Sequence, residues 1–136
     1  MLIVDTGPLV AVADADDPDH AVCDDLLATD AGPLVTTALV IAEAGFLANR
    51  QVGPEAEAAL IADVAAGRII VEALTVADWR RTLELIRTYA DLPLGVTDAS
   101  LVALAERHRA ARVATLDHRH FRVVRPSHVD AFVLLP

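Results

Sequence analysis

Short apolar runs alternate with longer segments of helical periodicity along this chain. Five runs have the length and composition of β-strands: Leu2 to Asp5, Leu34 to Thr36, Ile69 to Glu72, Val113 to Leu116 and Ala131 to Leu135. Strands that alternate with helices are typical of a parallel sheet covered on both faces. The pattern therefore predicts an α/β fold, a three-layer α/β/α domain around a central, mainly parallel five-stranded sheet.

Helix boundaries are marked between these runs. Asp17 followed by Pro18 predicts a helix that begins at the proline with the aspartate as its N-cap. A capping-box sequence, TVAD, opens another helix, in which Trp79, Leu83 and Ile86 lie on one face and Trp79 is expected in the core. The chain has no internal repeat or long linker, so residues 1–136 are predicted to form one domain.

Composition indicates where the protein is located and which kinds of site it can form. Hydrophobic residues make up 54% of the chain, yet no run of eighteen or more apolar residues occurs. Neither a membrane-spanning helix nor a secretory signal is therefore expected, and the predicted location is the cytoplasm, without a membrane partner. Cys23 is the only cysteine, which excludes an internal disulfide and a thiolate metal site, and it is expected to be a small core residue.

Charge is distributed unevenly between the two halves. The net charge of −9 argues against a protein that binds nucleic acid through bulk positive charge. Residues 1–68 hold twelve acids and two arginines, whereas residues 69–136 hold eight acids and nine arginines, six of them between Arg107 and Arg125. Arginine suits bidentate contact with phosphate, although a solvated surface explains such a cluster equally well.

Two aspartates end apolar runs. Asp5 follows the first predicted strand and Asp117 follows the fourth. In parallel sheets, ligands bind in the crevice at the carboxyl ends of the strands. Aspartate is also common in turns, so each residue alone has a structural explanation. Two of them at the same sheet edge favour a site.

Glu43 lies in an apolar helical segment, with Leu39 and Leu47 four residues away and Val40 and Phe46 three residues away. Burying a lone carboxylate is costly, so an inward-facing glutamate needs an ion partner, a metal or a raised pKa. Arg50 is the one cation of this segment and lies seven residues on. Glu43 is therefore predicted to sit on the apolar face and to look into a polar site.

Asp98 follows Thr97 and precedes an apolar helical segment. Thr97 is expected as the N-cap and Asp98 as the first helical residue. An acid in the first turn is favoured by the helix dipole without any catalytic role, so capping is a full alternative to function here.

Together the four acids form a set that suits hard divalent cations, which prefer oxygen ligands. The chain has neither a cysteine cluster nor a spaced histidine pair that would indicate zinc. In two-metal hydrolysis of phosphodiesters, the ions activate water and stabilise the leaving oxygen. Crowded carboxylates repel one another without metal, which raises pKa values, so acidic pH is expected to weaken metal binding.

Four segments carry a family resemblance: LIVDTGPL around Asp5, VIAEAGFL around Glu43, VTDASLV around Asp98 and ATLDHRHF around Asp117. In this order and spacing, they resemble the PIN-domain toxins of the VapC type over nearly the whole chain. The resemblance implies a PIN-like fold and a homodimeric endoribonuclease that hydrolyses RNA, tRNA or rRNA, with Mg²⁺ or Mn²⁺. It also implies neutralisation by a VapB-type antitoxin, through which alone the toxin would be connected to DNA.

Carried over residue by residue, the resemblance implies four catalytic and metal-binding acids: Asp5, Glu43, Asp98 and Asp117. Asp5 and Asp98 would be the principal ligands, and the hydroxyls of Thr6 and Thr115 would orient carboxylates or metal-bound water. Two departures put a second metal in doubt: Gly7 stands where many relatives carry serine or asparagine, and Arg119 and His120 stand where some carry another aspartate. The histidines at 118 and 120 could contact RNA phosphate, but loop histidines are more often simply exposed, and neither is assigned to the site.

Three other interpretations fit less of the sequence. Asp5-Thr6-Gly7 is also the tripeptide of aspartic proteases, but those are nearly all β, and Glu43 and Asp117 would have no role. A PIN-like module that binds a partner or RNA without metal would not need four acids. The acidic run from Asp14 to Asp19 lacks the glycine and glutamate of a calcium loop and is expected to be solvated.

Overall fold

The structure, a computed structural model, describes all of residues 1–136 and contains one five-stranded sheet. Its strands are β1 (Leu2–Val4), β2 (Leu34–Thr37), β3 (Ile69–Glu72), β4 (Arg112–Ala114) and β5 (Val133–Leu135). They lie in the order β3-β2-β1-β4-β5, and every neighbouring pair is parallel. All five predicted strands are confirmed, in a sheet that is wholly rather than mainly parallel.

Seven helices cover this sheet: α1 (Thr6–Ala13), α2 (His20–Thr29), α3 (Ala38–Gln51), α4 (Pro54–Ala65), α5 (Val76–Thr88), α6 (Val96–His108) and α7 (His118–Val123). Helix α1 packs against α2, α3 and α4, whereas α5 packs against α6. Because crossovers between parallel strands are right-handed, the strand order places α1 to α4 on one face and α5 to α7 on the other. The predicted three-layer architecture is confirmed. None of the helices has the length and apolarity needed to cross a membrane.

The core is centred on β1 and α6. Every residue of β1 is fully buried, as expected of a central strand covered on both faces. Helix α6 buries seven consecutive residues, 99–105. Asp5 directly follows β1 and Asp98 directly precedes the buried stretch of α6, so both acids adjoin the most deeply buried elements of the fold. Cys23 is a buried core residue, as predicted.

Helix α2 begins later than the sequence indicated. It starts at His20 with Asp19 as its N-cap, so the predicted start at Pro18 with Asp17 as the cap is wrong. Asp17 instead forms a side-chain turn in which its Oδ1 accepts the Asp19 N–H at 2.8 Å. A short acid that bonds the backbone two residues on competes with helix formation, which explains the delayed start.

Helix α5 has the predicted capping box but a different buried face. Trp79, predicted to be a core residue, is 46% exposed; Leu83 on the same face is 47% exposed, and only Ile86 packs partly against the core. The buried face consists of Asp78, Thr82 and Leu85. Asp78 is held inside because it closes the capping box and pairs with Arg107 of α6 at 3.3 Å. Polar contacts between α5 and α6 therefore decide the rotation of α5.

Candidate active site

Asp5 occupies the centre of the carboxyl edge of the sheet. It is the N-cap of α1, and its Oδ1 accepts the Thr6 N–H at 2.7 Å. Its Oδ2 accepts the Thr115 hydroxyl at 2.7 Å, and the side chain is buried. The sharp turn from β1 into α1 is thus closed by the same carboxylate that faces the site.

Burial raises the pKa of Asp5 from 3.8 to about 6. The hydrogen bonds from Thr115 and Thr6 oppose this shift, while the charges of Asp98 and Glu43 add to it. Ionised Asp5 at neutral pH therefore destabilises the folded protein, and a bound cation would offset this destabilisation.

Asp98 lies in the first turn of α6, where it does not act as a cap. The helix begins at Val96 with Gly95 as its N-cap, so the expectation that Thr97 caps it and Asp98 is its first residue is wrong. Asp98 instead turns to the site, and its Oδ2 accepts a hydrogen bond from His120 Nδ1 at 2.5 Å. Asp98 still lies in the first turn, where the helix dipole favours an acid, so that structural explanation stands beside its contact with His120.

Burial also raises the pKa of Asp98. The contact with His120 lowers it, and the charges of Asp117 and Glu43 raise it again. Asp98 and Asp5 both respond to Glu43, which shows that three acids from three distant parts of the chain share one electrostatic site.

Glu43 is exposed, so its predicted burial on the apolar face of α3 is wrong. The buried stripe of α3 runs through Val40, Ala44 and Ala48, and Glu43 lies one residue away, about 100° around the helix axis. Its predicted orientation toward a polar site is confirmed, because Glu43 Oε2 accepts the Thr6 hydroxyl at 2.7 Å.

Asp117 lies at the rim of the site with its side chain 59% exposed. Strand β4 ends at Ala114, and Asp117 is the N-cap of the short helix α7, where its Oδ1 accepts the Arg119 N–H at 3.1 Å. The Thr115 hydroxyl, which donates to Asp5, also accepts the Asp117 N–H at 3.2 Å. One threonine therefore ties a buried acid to the loop that carries an exposed one.

His120 is a residue of this site that the sequence interpretation missed. It is buried rather than exposed, and it bonds Asp98 from 22 positions away. A signal was present in the sequence: His120 lies four residues before the apolar Val124, so the two share a face, and Val124 is fully buried. His118 is also engaged, with Nε2 at 3.0 Å from the Thr115 carbonyl oxygen.

The donor set fits a hard divalent cation. It offers carboxylate oxygens and neighbouring hydroxyls, and the charges of Asp98 and Glu43 disfavour the anionic form of Asp5. No three acidic or histidine side chains enclose a common point by themselves. Water or phosphate oxygens would therefore have to complete the coordination of an ion here, as is usual for Mg²⁺.

A separate apolar groove of ≈ 360 Å³ lies among α1, α2 and α4. Ten of its thirteen lining residues are hydrophobic, and none of the four acids belongs to it. The groove is therefore distinct from the acidic site, although α1 borders both.

Comparison with known proteins agrees with this geometry. The PIN domain family profile matches residues 2–126. Ribonuclease VapC26 of Mycobacterium tuberculosis is 34% identical over 135 residues, which cover 99% of this chain and 100% of that protein. The crystal structure of M. tuberculosis VapC20, a sarcin–ricin loop cleaving toxin, matches with a TM-score of 0.82 and 22% identity over 88% of this chain and 92% of that one. At that identity the structural match supports the fold.

Proposed function

We propose, because this chain belongs to the VapC family of PIN-domain ribonuclease toxins, that it is a metal-dependent endoribonuclease that hydrolyses RNA phosphodiester bonds. Mg²⁺, or Mn²⁺ in its place, would be held by four acids: Asp5, Glu43, Asp98 and Asp117. The main support is the placement of Asp5 and Asp98 at the ligand-binding edge of the sheet, where burial raises the pKa of both carboxyls and the charge of Asp98 raises that of Asp5 further.

The four acids divide into two pairs by depth. Asp5 and Asp98 would be the principal ligands, because they are shielded from water and oriented by Thr115 and His120. Glu43 and Asp117 are exposed and would act directly or through water. A divalent ion bound there would supply an activated water and offset the negative charge of the phosphate.

The hydroxyl contacts leave the acids free to bind. Each oxygen of Asp5 accepts one hydrogen bond, from Thr6 or Thr115, and each retains a lone pair for an ion. The Thr6 hydroxyl also donates to Glu43. Thr6 therefore orients Asp5 with its backbone N–H and Glu43 with its side chain. Such contacts fix the directions in which the remaining lone pairs point.

Structured RNA, tRNA or rRNA, is the proposed substrate. The relative VapC26 is named a ribonuclease and VapC20 is described as cleaving the sarcin–ricin loop. Unpaired loops expose base edges that a protein can read, whereas the major groove of an A-form helix is too deep and narrow. We therefore expect cleavage within a loop.

The test is incubation of the purified, antitoxin-free protein with total cellular RNA, with and without Mg²⁺ or Mn²⁺, followed by mapping of new RNA ends. Asp5→Ala and Asp98→Asn should abolish discrete metal-dependent cuts. Glu55→Gln is the matched control, because Glu55 is exposed on α4 and makes no side-chain bond. Absence of cuts from folded, metal-supplemented protein would favour a PIN-like binding module instead.

The proposal includes a cytoplasmic location, a homodimer and neutralisation by a VapB-type antitoxin, with any connection to DNA made by that antitoxin. Two apolar surfaces are available for protein partners: the groove among α1, α2 and α4, and the exposed Trp79 and Leu83 of α5. Light scattering on the protein alone should give twice its 14.4 kDa. Addition of the cognate antitoxin should increase that mass and suppress RNA cleavage.

A further inference from the structure

Helix α7 carries two histidine–arginine pairs beside the acidic site. Arg119 Nη2 lies 3.5 Å from His120 Nε2, and Arg122 Nη2 lies 3.2 Å from His118 Nδ1. A guanidinium group can only donate hydrogen bonds, so the ring nitrogen that faces each arginine must accept.

The opposite nitrogen of each ring is bound to the site itself. His120 Nδ1 faces Asp98 Oδ2 at 2.5 Å, and His118 Nε2 faces the Thr115 carbonyl oxygen at 3.0 Å. Both partners accept hydrogen bonds, so in these contacts the ring nitrogens that face them donate. Each arginine is thus connected through one histidine to a residue that forms the acidic site.

The charges of these two arginines are available to an external anion. Arg119 is 70% exposed, and its nearest acid, Asp117, lies 3.9 Å away, beyond hydrogen-bond distance. Arg122 is exposed and has no acid within ion-pair distance. Four other arginines do form closer ion pairs with carboxylates: Arg68, Arg81, Arg107 and Arg112. In a chain of net charge −9, Arg119 and Arg122 therefore make no hydrogen-bonded ion pair with a carboxylate.

We propose that Arg119 and Arg122 form a subsite that binds the RNA backbone phosphates next to the bond to be cut, and that His118 and His120 position it. This inference rests on the proposed ribonuclease function. Residues three apart are neighbours on a helix surface, so both guanidinium groups reach the same strand of RNA. An acidic site repels a polyanion, and arginines at its border offset that repulsion and hold phosphate bidentately.

Binding of a fluorescent single-stranded RNA, followed by anisotropy at increasing salt, tests the subsite in an inactive Asp5→Asn background. Arg119→Gln and Arg122→Gln should each weaken binding about tenfold and each reduce the log–log salt slope by about 0.7, the value for one lost phosphate contact. Arg50→Gln should change neither, because this exposed residue lies in the last turn of α3, about 10 Å along the helix axis from Glu43. Unchanged affinity and slope in both α7 variants would overturn the subsite.

The histidines are tested by substitutions that keep one bond and remove the other. His120→Asn retains a donor for Asp98 and loses the acceptor for Arg119, and His118→Gln retains a donor toward Thr115 and loses the acceptor for Arg122. Both should weaken RNA binding several-fold while retaining the folded stability of the parent. RNA with single uncharged methylphosphonate linkages supplies a second readout, since Arg119→Gln should be insensitive to the linkage at which the parent loses affinity.

The outcomes separate this subsite from the proposed function. Metal-dependent cleavage by the native chain, with unchanged KM in the arginine variants, overturns the subsite alone. Absence of both RNA binding and cleavage in the native chain overturns the subsite and the proposed function together. Retained RNA binding with lost antitoxin binding would assign α7 to a protein interface and would also overturn the subsite.

Discussion

The two deeper acids and the two outer acids of the site differ in how the fold holds them. Asp5 and Asp98 stand at the ends of the buried strand β1 and the buried helix α6, and burial raises the pKa of each. Glu43 and Asp117 are exposed at the rim, and each is fixed by a single side-chain oxygen contact, to Thr6 or to the backbone of Arg119. Ionising a carboxyl group is therefore more costly in the deeper pair than in the outer pair.

The depth of each acid therefore affects both the stability of the metal-free protein and the free energy gained when a cation binds. A carboxylate kept from water destabilises the empty protein and gains most from a cation, whereas a solvated carboxylate gives up water to bind and gains less. We expect the deep pair to determine whether metal binds. The outer pair, Glu43 and Asp117, should affect the rate of RNA cleavage more than the affinity for metal.

Neutral substitutions of the acids should show the largest effect. Asp5→Asn and Asp98→Asn should each reduce RNA cleavage by about a thousandfold or more, equivalent to about 4 kcal/mol. Glu43→Gln and Asp117→Asn should cost about 10- to 100-fold, as is typical of groups that act around a metal's direct ligands. Initial rates on one defined RNA at saturating Mg²⁺ measure all four. Equal losses from both pairs would show that depth does not separate their roles.

The pH dependence of stability should reveal the deep pair without any substrate. The folded-state pKa of Asp5, about 6, lies above its unfolded value of 3.8, so protonation favours the folded state. This contribution is fully present below the unfolded pKa and is lost as pH rises through the folded pKa. Between about pH 5 and about pH 7.5, the metal-free protein should lose roughly 1–2 kcal/mol of its unfolding free energy.

Urea denaturation of the metal-free protein measures this change, and Asp5→Asn is its control. The variant should show a clearly smaller loss over the same range, and Mg²⁺ should stabilise the native chain more at the upper pH than at the lower. Acids with lowered pKa values, Asp30 and Glu106, are already ionised in this range and do not obscure the effect. A pH profile identical in the variant would locate the titration elsewhere.

Much of this arrangement could be predicted from local patterns. The continuously apolar run before Asp5 predicts a central strand, and the acids that follow the first and fourth strands are predicted at one sheet edge because parallel strands end together. The structure confirms both. Strand positions could be predicted because a buried strand of three to five residues appears in the sequence as a continuous apolar run.

The failures concern faces of helices and contacts between distant residues. Apolar neighbours on both sides of Glu43 do not reveal which of two adjacent stripes packs on the sheet, and α3 uses the stripe of Val40 and Ala44. Helix α5 buries Asp78 rather than Trp79 because Arg107 supplies a partner from another helix. The role of His120 depends on Asp98, 22 positions earlier. None of these partners can be identified from periodicity.

Removing the threonine hydroxyl that contacts one deep acid, or the one that contacts one outer acid, should give the smallest effects and the most selective comparison of the two pairs. Thr115→Val deletes the donor to buried Asp5, which should raise the pKa of that carboxyl further and cost about 1–3 kcal/mol at neutral pH, because a buried charge loses a partner. Thr6→Val deletes the donor to exposed Glu43, where water can replace it, and should cost about 0.5–1 kcal/mol while the backbone bond to Asp5 is kept. Metal-free urea denaturation and Mg²⁺ titration of both variants measure the contrast. If Thr6→Val weakened Mg²⁺ binding as much as Thr115→Val, the rim acid would be as important for holding the metal as the buried one, and the site would have to be described as a single cluster of equivalent ligands.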